Sequence, residues 1–295
     1  LLRYAPVLEK YLRKAFNDLV VRDNLIHVEL RGFDVVDDHI YDLDGRIYSL
    51  TESTALLQRV ALEFSGRLTV RLISTVYKPA VPPSKIGPAL LSAADLRAKF
   101  PDLVVGFDLV GEEDVSPPLQ LYADALVDAR DKQSLTYYLH AGETAHGSNG
   151  SAADNVIDAT LLAKRIGHAV ALPKRPALVA TLLERDVALE INPISNQVLG
   201  YVQDIQNHPA TWMLEQGLSI TLSPDDPAVL GYESVAADWW FAFLAWDLDL
   251  ASLKKLARNS LQHCALGAEA KTEAISRWEK QWKEFVLSQS RHLVV

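Results

Sequence analysis

Four short segments carry side chains that can hold a metal ion and move a proton. His140-Ala141-Gly142-Glu143 puts an imidazole, a sharp-turning glycine and a carboxylate on one loop. A neutral imidazole is a good zinc ligand, and Glu143 then sits near a bound ion without having to bind it. A strand-end histidine followed by a helix-capping glutamate explains the same residues equally well. Ser223-Pro224-Asp225-Asp226-Pro227 holds two adjacent carboxylates, which stay ionised more easily if a cation lies beside one of them. Asp226 before Pro227 also spells a helix start, with Asp at the N-cap and Pro at the first helical position, and alone that reading is preferred. In Arg165-Ile166-Gly167-His168 the histidine either polarises a metal-bound water or is structural, as isolated histidines more often are. In Gly106–Glu113 (GFDLVGEE), Gly111 either lets the backbone approach a flat ligand or simply ends a strand. Glu190–Asn196 (EINPISN) reads mainly as scaffold, with Ser195 or Asn196 as an N-cap.

Such residues need elements to aim them, and the chain alternates strand-like with helical patterns. A helix is expected from Tyr4 to Val21, with Leu8, Tyr11, Leu12 and Phe16 near helical spacing. Strands are expected at Leu25–Arg31, Leu68–Tyr77, Val104–Leu109, Leu135–Ala141, Arg165–Ala169, Val187–Asn192 and Leu218–Ser223. Helices are expected between them, for example Tyr122–Asp131, Ala152–Lys164 and Pro176–Arg185, with a long helical tail from about Ala236 to Arg291. This alternation implies a parallel sheet. Asp108, His140, His168, Asn192 and Asp225 fall at successive strand ends, which suggests a ring with its site at the carboxyl end of a (β/α)8 barrel. Seven strands are seen where a closed barrel needs eight, so the first is expected to lie before Leu1 and residues 1–295 to form one barrel domain. In Leu25–Arg31 the polar His27, Glu29 and Arg31 share a face that would point inward, as an internal charge pair rather than a catalytic set.

Composition narrows the partners. Of 295 residues 49% are hydrophobic and 23% charged, which rules out a disordered chain and supplies one large core. No apolar run reaches the ~20 residues of a membrane span. A net charge of −9 argues against a nucleic acid partner and for a neutral small molecule. The single cysteine, Cys264, excludes an internal disulfide and a thiolate metal cluster.

Taken in order, the segments resemble the adenosine deaminase superfamily, in particular the secreted-type adenosine deaminase-related growth factors. The resemblance rests on GFDLVGEE (106–113), HAGET (140–144), RIGHA (165–169), EINPISNQVL (190–199) and SPDDPA (223–228), with support from Asn207-His208-Pro209 and LARNS (256–260). One departure stands out. The family carries a His-x-His pair on its first strand, and no two of the eight histidines here (His27, His39, His140, His146, His168, His208, His263, His292) are two apart.

The resemblance implies a metal-dependent hydrolase barrel that deaminates adenosine or 2′-deoxyadenosine to inosine. His140 and Asp225 would be zinc ligands, and zinc lowers the pKa of water towards ~7. Glu143 would protonate N1, His168 would orient the attacking water, Asp226 would meet N7 and the Gly111 N–H would meet N3. It also implies a homodimer and an extracellular location, to which the Asn149-Gly150-Ser151 sequon is relevant. No membrane or nucleic acid partner is expected. His146 reads as an entrance-loop or solvated residue. Two other functions stay open. The missing His pair would suit a nucleoside-binding, growth-factor-like protein without catalysis. Deamination of AMP or a modified nucleoside would need a basic cluster at the mouth, for which only Arg165, Lys174 and Arg175 are near the motifs.

Overall fold

The computed structural model describes residues 2–36, 39–145 and 150–292. Its strands are β1 (His27–Asp34), β2 (Thr69–Tyr77), β3 (Val104–Val110), β4 (Tyr138–Ala141), β5 (Arg165–His168), β6 (Ala188–Ile191) and β7 (Ile220–Leu222). Each expected strand forms, with ends moved by up to three residues. β1 to β3 pair in chain order in one parallel sheet and β4 to β7 in another. A parallel bridge between Phe107 and Tyr137 joins the two, with Phe107 N donating to Thr136 O at 2.9 Å. Among the described residues no pairing links β7 to β1. The result is a partial (β/α)8 barrel of seven parallel strands, open at that seam.

Helices α1 (Ala5–Val21), α2 (Leu50–Leu62), α3 (Ile86–Lys99), α4 (Ala123–Gln133), α5 (Ser151–Leu162), α6 (Leu178–Glu184), α7 (Pro193–Val198) and α8 (Ala210–Glu215) alternate with the strands. α2 opens on a capping box, in which Ser49 Oγ accepts from Glu52 N and Glu52 accepts from Ser49 N. The strands' outer faces pack on these helices. One core cluster runs from Phe107 and Leu139 to Ile191 and Ile220, and a second joins Phe16, Leu57 and Phe64 to Leu72.

The long helical tail is corrected. After α9 (Pro227–Leu230) the chain forms three helices, α10 (Ala236–Ala245), α11 (Leu250–Gln262) and α12 (Ala268–His292). Asp247 turns into the left-handed region (φ 49°), and Asp249 caps α11 by accepting from Ser252 N at 2.7 Å. Helical spacing of apolar residues continues across such breaks, so periodicity alone does not reveal them.

The polar face of β1 does point inward, and it is knitted into a chain of charges. His27 Nε2 lies 2.9 Å from Glu29 Oε1, Glu29 pairs with Arg165, and Arg165 Nε donates to Glu190 Oε1 at 2.5 Å. Arg31 then bridges Glu190 Oε2 (2.6 Å) and Asp108 Oδ2 (2.7 Å). The Arg165 guanidinium also stacks 4.0 Å from the Tyr138 ring centroid. Burial opposes the ionised forms of Glu29 and Glu190, yet the arginines keep both carboxyls below the ordinary range. Removing one partner of such a buried network costs far more than the network gains. Arg165→Met should therefore lower unfolding stability by about 3–5 kcal/mol, read as a lower urea midpoint at unchanged slope. An unaltered midpoint would show that the network carries no stabilisation.

Candidate active site

The carboxyl ends of β3, β4, β5 and β7 converge. One ligand atom each from His140, His168 and Asp225 lies within 4.8 Å of the others, and the two imidazole centroids are 4.9 Å apart. Thus segments 85 residues apart from end to end in sequence meet at one point. His168 (φ 63°), Ala169 (φ 51°) and Asp225 (φ 58°) all adopt left-handed backbone, which turns the chain abruptly where the strands stop. Such conformations in non-glycine residues cluster where surrounding structure over-determines them, functional sites among them.

His140 is oriented from behind. Its Nδ1 lies 2.6 Å from Asp108 Oδ2, and its backbone N donates to Asp108 Oδ1 at 2.9 Å. Asp108 occupies Nδ1, so Nε2 is the nitrogen left for another partner. Burial disfavours the charged imidazole, but Asp108 outweighs it and lifts the pKa to about 9. Burial would likewise raise Asp108, whereas His140 and Arg31 hold it well below the carboxylate range. Asp108 was legible only as a polar strand end. The signal for it was the inward arginine two strands away.

The loop after His140 is held by Glu113, which residue patterns did not single out. Its carboxylate accepts from Gly142 N (3.2 Å), Glu143 N (2.8 Å) and the Asn155 side-chain amide, and Lys78 Nζ lies 3.9 Å away. Gly142 has φ +73°, and a Cβ there would meet Val156 at 2.5 Å, so the sharp turn needs glycine. Glu143 is not a helix cap. It is buried with Oε1 3.5 Å from His168 Nδ1. Burial pushes its carboxyl up to about 8, with Asp225, Glu113 and Asp108 adding to the effect and His140 opposing it. A group with that value is protonated at neutral pH and can act as an acid.

The other segments also take definite places. Asp225 Oδ2 accepts from Ser195 Oγ at 2.7 Å and lies 3.9 Å from His168 Nε2. Burial works against its charge, but His168 and Ser195 keep it ionised. Asp226 does open a short helix with Pro227 at its first position, yet its side chain makes no capping bond. Burial, then Asp225, raises the Asp226 carboxyl. Ser195 and Asn196 are corrected from N-caps to buried residues within α7 whose side chains serve Asp225 and His168. Burial, and then the neighbouring His140, lowers the His168 pKa. Gly111 (φ +105°) could not carry a Cβ without meeting the Tyr77 ring at 2.6 Å. His146 and Asn149 lie outside the described residues. A second trio, His27, Glu29 and Cys264, lies at the amino end of the strands, with Glu29 already taken by Arg165 and by Ala265 N.

The adenosine deaminase family profile matches residues 57–281. The chain belongs to the adenosine deaminase family. It is 37% identical over 99% of its length to adenosine deaminase 2 of Sus scrofa and 35% identical over 97% to an adenosine deaminase of Phlebotomus duboscqi. It spans 58% and 55% of those two proteins, little over half of each. Its fold is shared with an amidohydrolase of Burkholderia ambifaria solved with bound Zn (TM-score 0.80, 19% identity, 99% of this chain and 77% of that one). It is shared also with Arabidopsis ADAL complexed with IMP (TM-score 0.76, 20% identity, 94% and 78%).

The His140 imidazole and the Asp225 carboxylate are donors that suit a divalent transition ion, with His168 within reach of both. Asp108→Asn should weaken divalent-metal binding by roughly 10–100-fold, measured by competition with a chromophoric chelator. Undiminished affinity would remove Asp108 from the metal's support.

Proposed function

We propose that the protein hydrolyses adenosine or 2′-deoxyadenosine at C6, giving the corresponding inosine and ammonia, with zinc as its metal. The observation that carries this reading is the meeting of His140 and Asp225 beside a buried Glu143 whose carboxyl is raised to about 8. Residues 1–295 act in it as one barrel domain. Extracellular location and homodimerisation follow from the resemblance to the secreted-type family and are part of the same proposal. Among the described residues no helix is long and apolar enough to cross a membrane.

In this reading His140, its Nδ1 held by Asp108, and the ionised Asp225 would hold the zinc. When bound, zinc makes hydroxide available near neutral pH. Glu143 donates a proton to purine N1, which breaks the ring's aromaticity and makes C6 electrophilic. His168 orients the attacking oxygen and stabilises its charge. Asp226, raised by burial, shares a proton with N7, and the Gly111 N–H meets N3. The C6–N bond then breaks, and water's oxygen remains on the ring while ammonia carries away the amino nitrogen. Contacts to N1, N3 and N7 together select a purine.

Two observations bear on other substrates and on turnover. Arg165, one of three basic residues near the motifs, is buried in the barrel interior against Glu29 and Glu190, and Arg175 pairs with Asp154. That supports a nucleoside over a nucleotide, and AMP assayed beside adenosine tests it. Nucleoside binding without turnover is favoured by one feature, the absence of a His-x-His pair from the 295 residues. Catalytic zinc normally has three protein ligands, and His140 with Asp225 makes two.

The deciding measurement is the ultraviolet change on adding adenosine, run beside a zinc count. Glu143→Gln should retain zinc and lose activity by at least about 100-fold, whereas Asp225→Ala should lose the zinc itself. Near-normal inosine formation by Glu143→Gln would remove Glu143 as the acid. Because the acid must be protonated, activity should be present at low pH and fall as pH rises through about 8. Zinc's positive charge moves that limb lower, never higher. A profile still rising above that pH would contradict the assignment.

A further inference from the structure

Two motifs have no role in the mechanism above: Asn196 within EINPISN, and His208 within Asn207-His208-Pro209. We propose that Asn196 and His208 are positioning residues that hold His168 in the tautomer with its hydrogen on Nε2, so that His168 meets the reacting oxygen as a hydrogen-bond donor and not as a base or a metal ligand. This rests on the reading of His168 as a group at the reacting centre.

The direction of the chain follows from one backbone group. The Ala210 backbone N–H can only donate, and it lies 3.0 Å from His208 Nδ1. His208 Nδ1 therefore carries a lone pair and its hydrogen sits on Nε2. That nitrogen faces Asn196 Oδ1 at 3.0 Å, which fixes the amide with its oxygen towards His208. The Asn196 NH2 group is left 3.0 Å from His168 Nδ1, and an amide NH2 only donates. His168 Nδ1 is thus an acceptor, and its single hydrogen is on Nε2, the nitrogen 3.9 Å from Asp225 Oδ2.

Water is kept from this order of hydrogen bonds, although Glu143 Oε1 also lies 3.5 Å from His168 Nδ1. His208 and Asn196 are fully buried and His168 is 1% exposed, so bulk water does not supply alternative partners. The His208 ring packs 5.4 Å from Trp246, whose Nε1 is itself committed to Ile205 O. The Asn192 side-chain amide lies 3.2 Å from His168 Nδ1 and 3.4 Å from its Nε2 and does not choose between them. A wrong tautomer in an otherwise intact site is costly, because the donor the transition state needs is replaced by a lone pair. The same order explains why His168 need not bind metal although it lies among the ligand atoms. One nitrogen is occupied by an amide hydrogen and the other carries its own.

The test uses zinc-loaded protein with 15N-labelled histidine, His168 being assigned by the resonances lost in His168→Ala. The expected spectrum at neutral pH shows a pyridine-type Nδ1 and a pyrrole-type, hydrogen-bearing Nε2 for His168. Asn196→Asp, nearly isosteric but able only to accept when ionised, should protonate Nδ1. It should lower kcat about 100-fold with KM changed less than about threefold. A hydrogen on Nδ1 in the unmodified protein overturns the proposal, and this measurement needs no variant at position 196 to fold. So does an Asn196→Asp protein in which Nδ1 stays pyridine-type or kcat is unaltered. If His168→Ala retains full turnover while the expected spectrum is seen, the catalytic reading of His168 fails and the tautomer assignment stands.

Discussion

The ion pair of Arg31 with Asp108 inside the barrel is what the site leans on. A carboxylate buried at that depth would ordinarily take up a proton, and a neutral Asp108 would be a poor orienting partner for His140. Arg31, on β1, keeps it charged, and Glu190 in turn offsets Arg31. The charge therefore passes through β3 to β4, where it turns His140 and settles which of its nitrogens faces the site. The cost of burying these ions is met by mutual pairing rather than by water, which is why the chain runs unbroken from His27 to His140.

A second set of fixed dipoles acts on the loop beyond β4. Glu113 collects the backbone N–H groups of Gly142 and Glu143 and the Asn155 amide, so the loop carrying Glu143 is tied to the end of β3 and to α5. Glu143 itself is raised by burial and by the carboxylates around it, against the opposing charge of His140. The two glutamates lie close together in different surroundings: Glu113 is met by donors, and burial and like charge raise Glu143. Preorganisation of this kind puts the acid in place before any ligand arrives.

The barrel's elements were largely legible in the residues. Strand-like runs alternating with helical patterns marked all seven strands, and polar residues at their ends marked the face where the site lies. His140, Glu143, His168, Asp225 and Asp226 could each be listed, but each also had a bland local explanation. Asp226 shows why: it does start a helix, as its Pro neighbour indicates, yet its side chain is free of capping duty. Asn196, Glu113 and Asp108 were illegible as partners, because what they touch lies 28 to 32 residues away and leaves no periodic trace. The helical tail was misjudged for the related reason that a break at Asp247 alters backbone angles and not hydrophobic spacing.

By itself, then, the order of residues determined which chemical groups exist and that strands alternate with helices, because propensity and periodicity act over a few neighbours. Tertiary structure decided which imidazole nitrogen is free, which carboxyl keeps its proton and which polar residues stand behind the site. Those properties depend on field and solvent exclusion at one point in space, and only the closing of strands far apart in the chain creates that point.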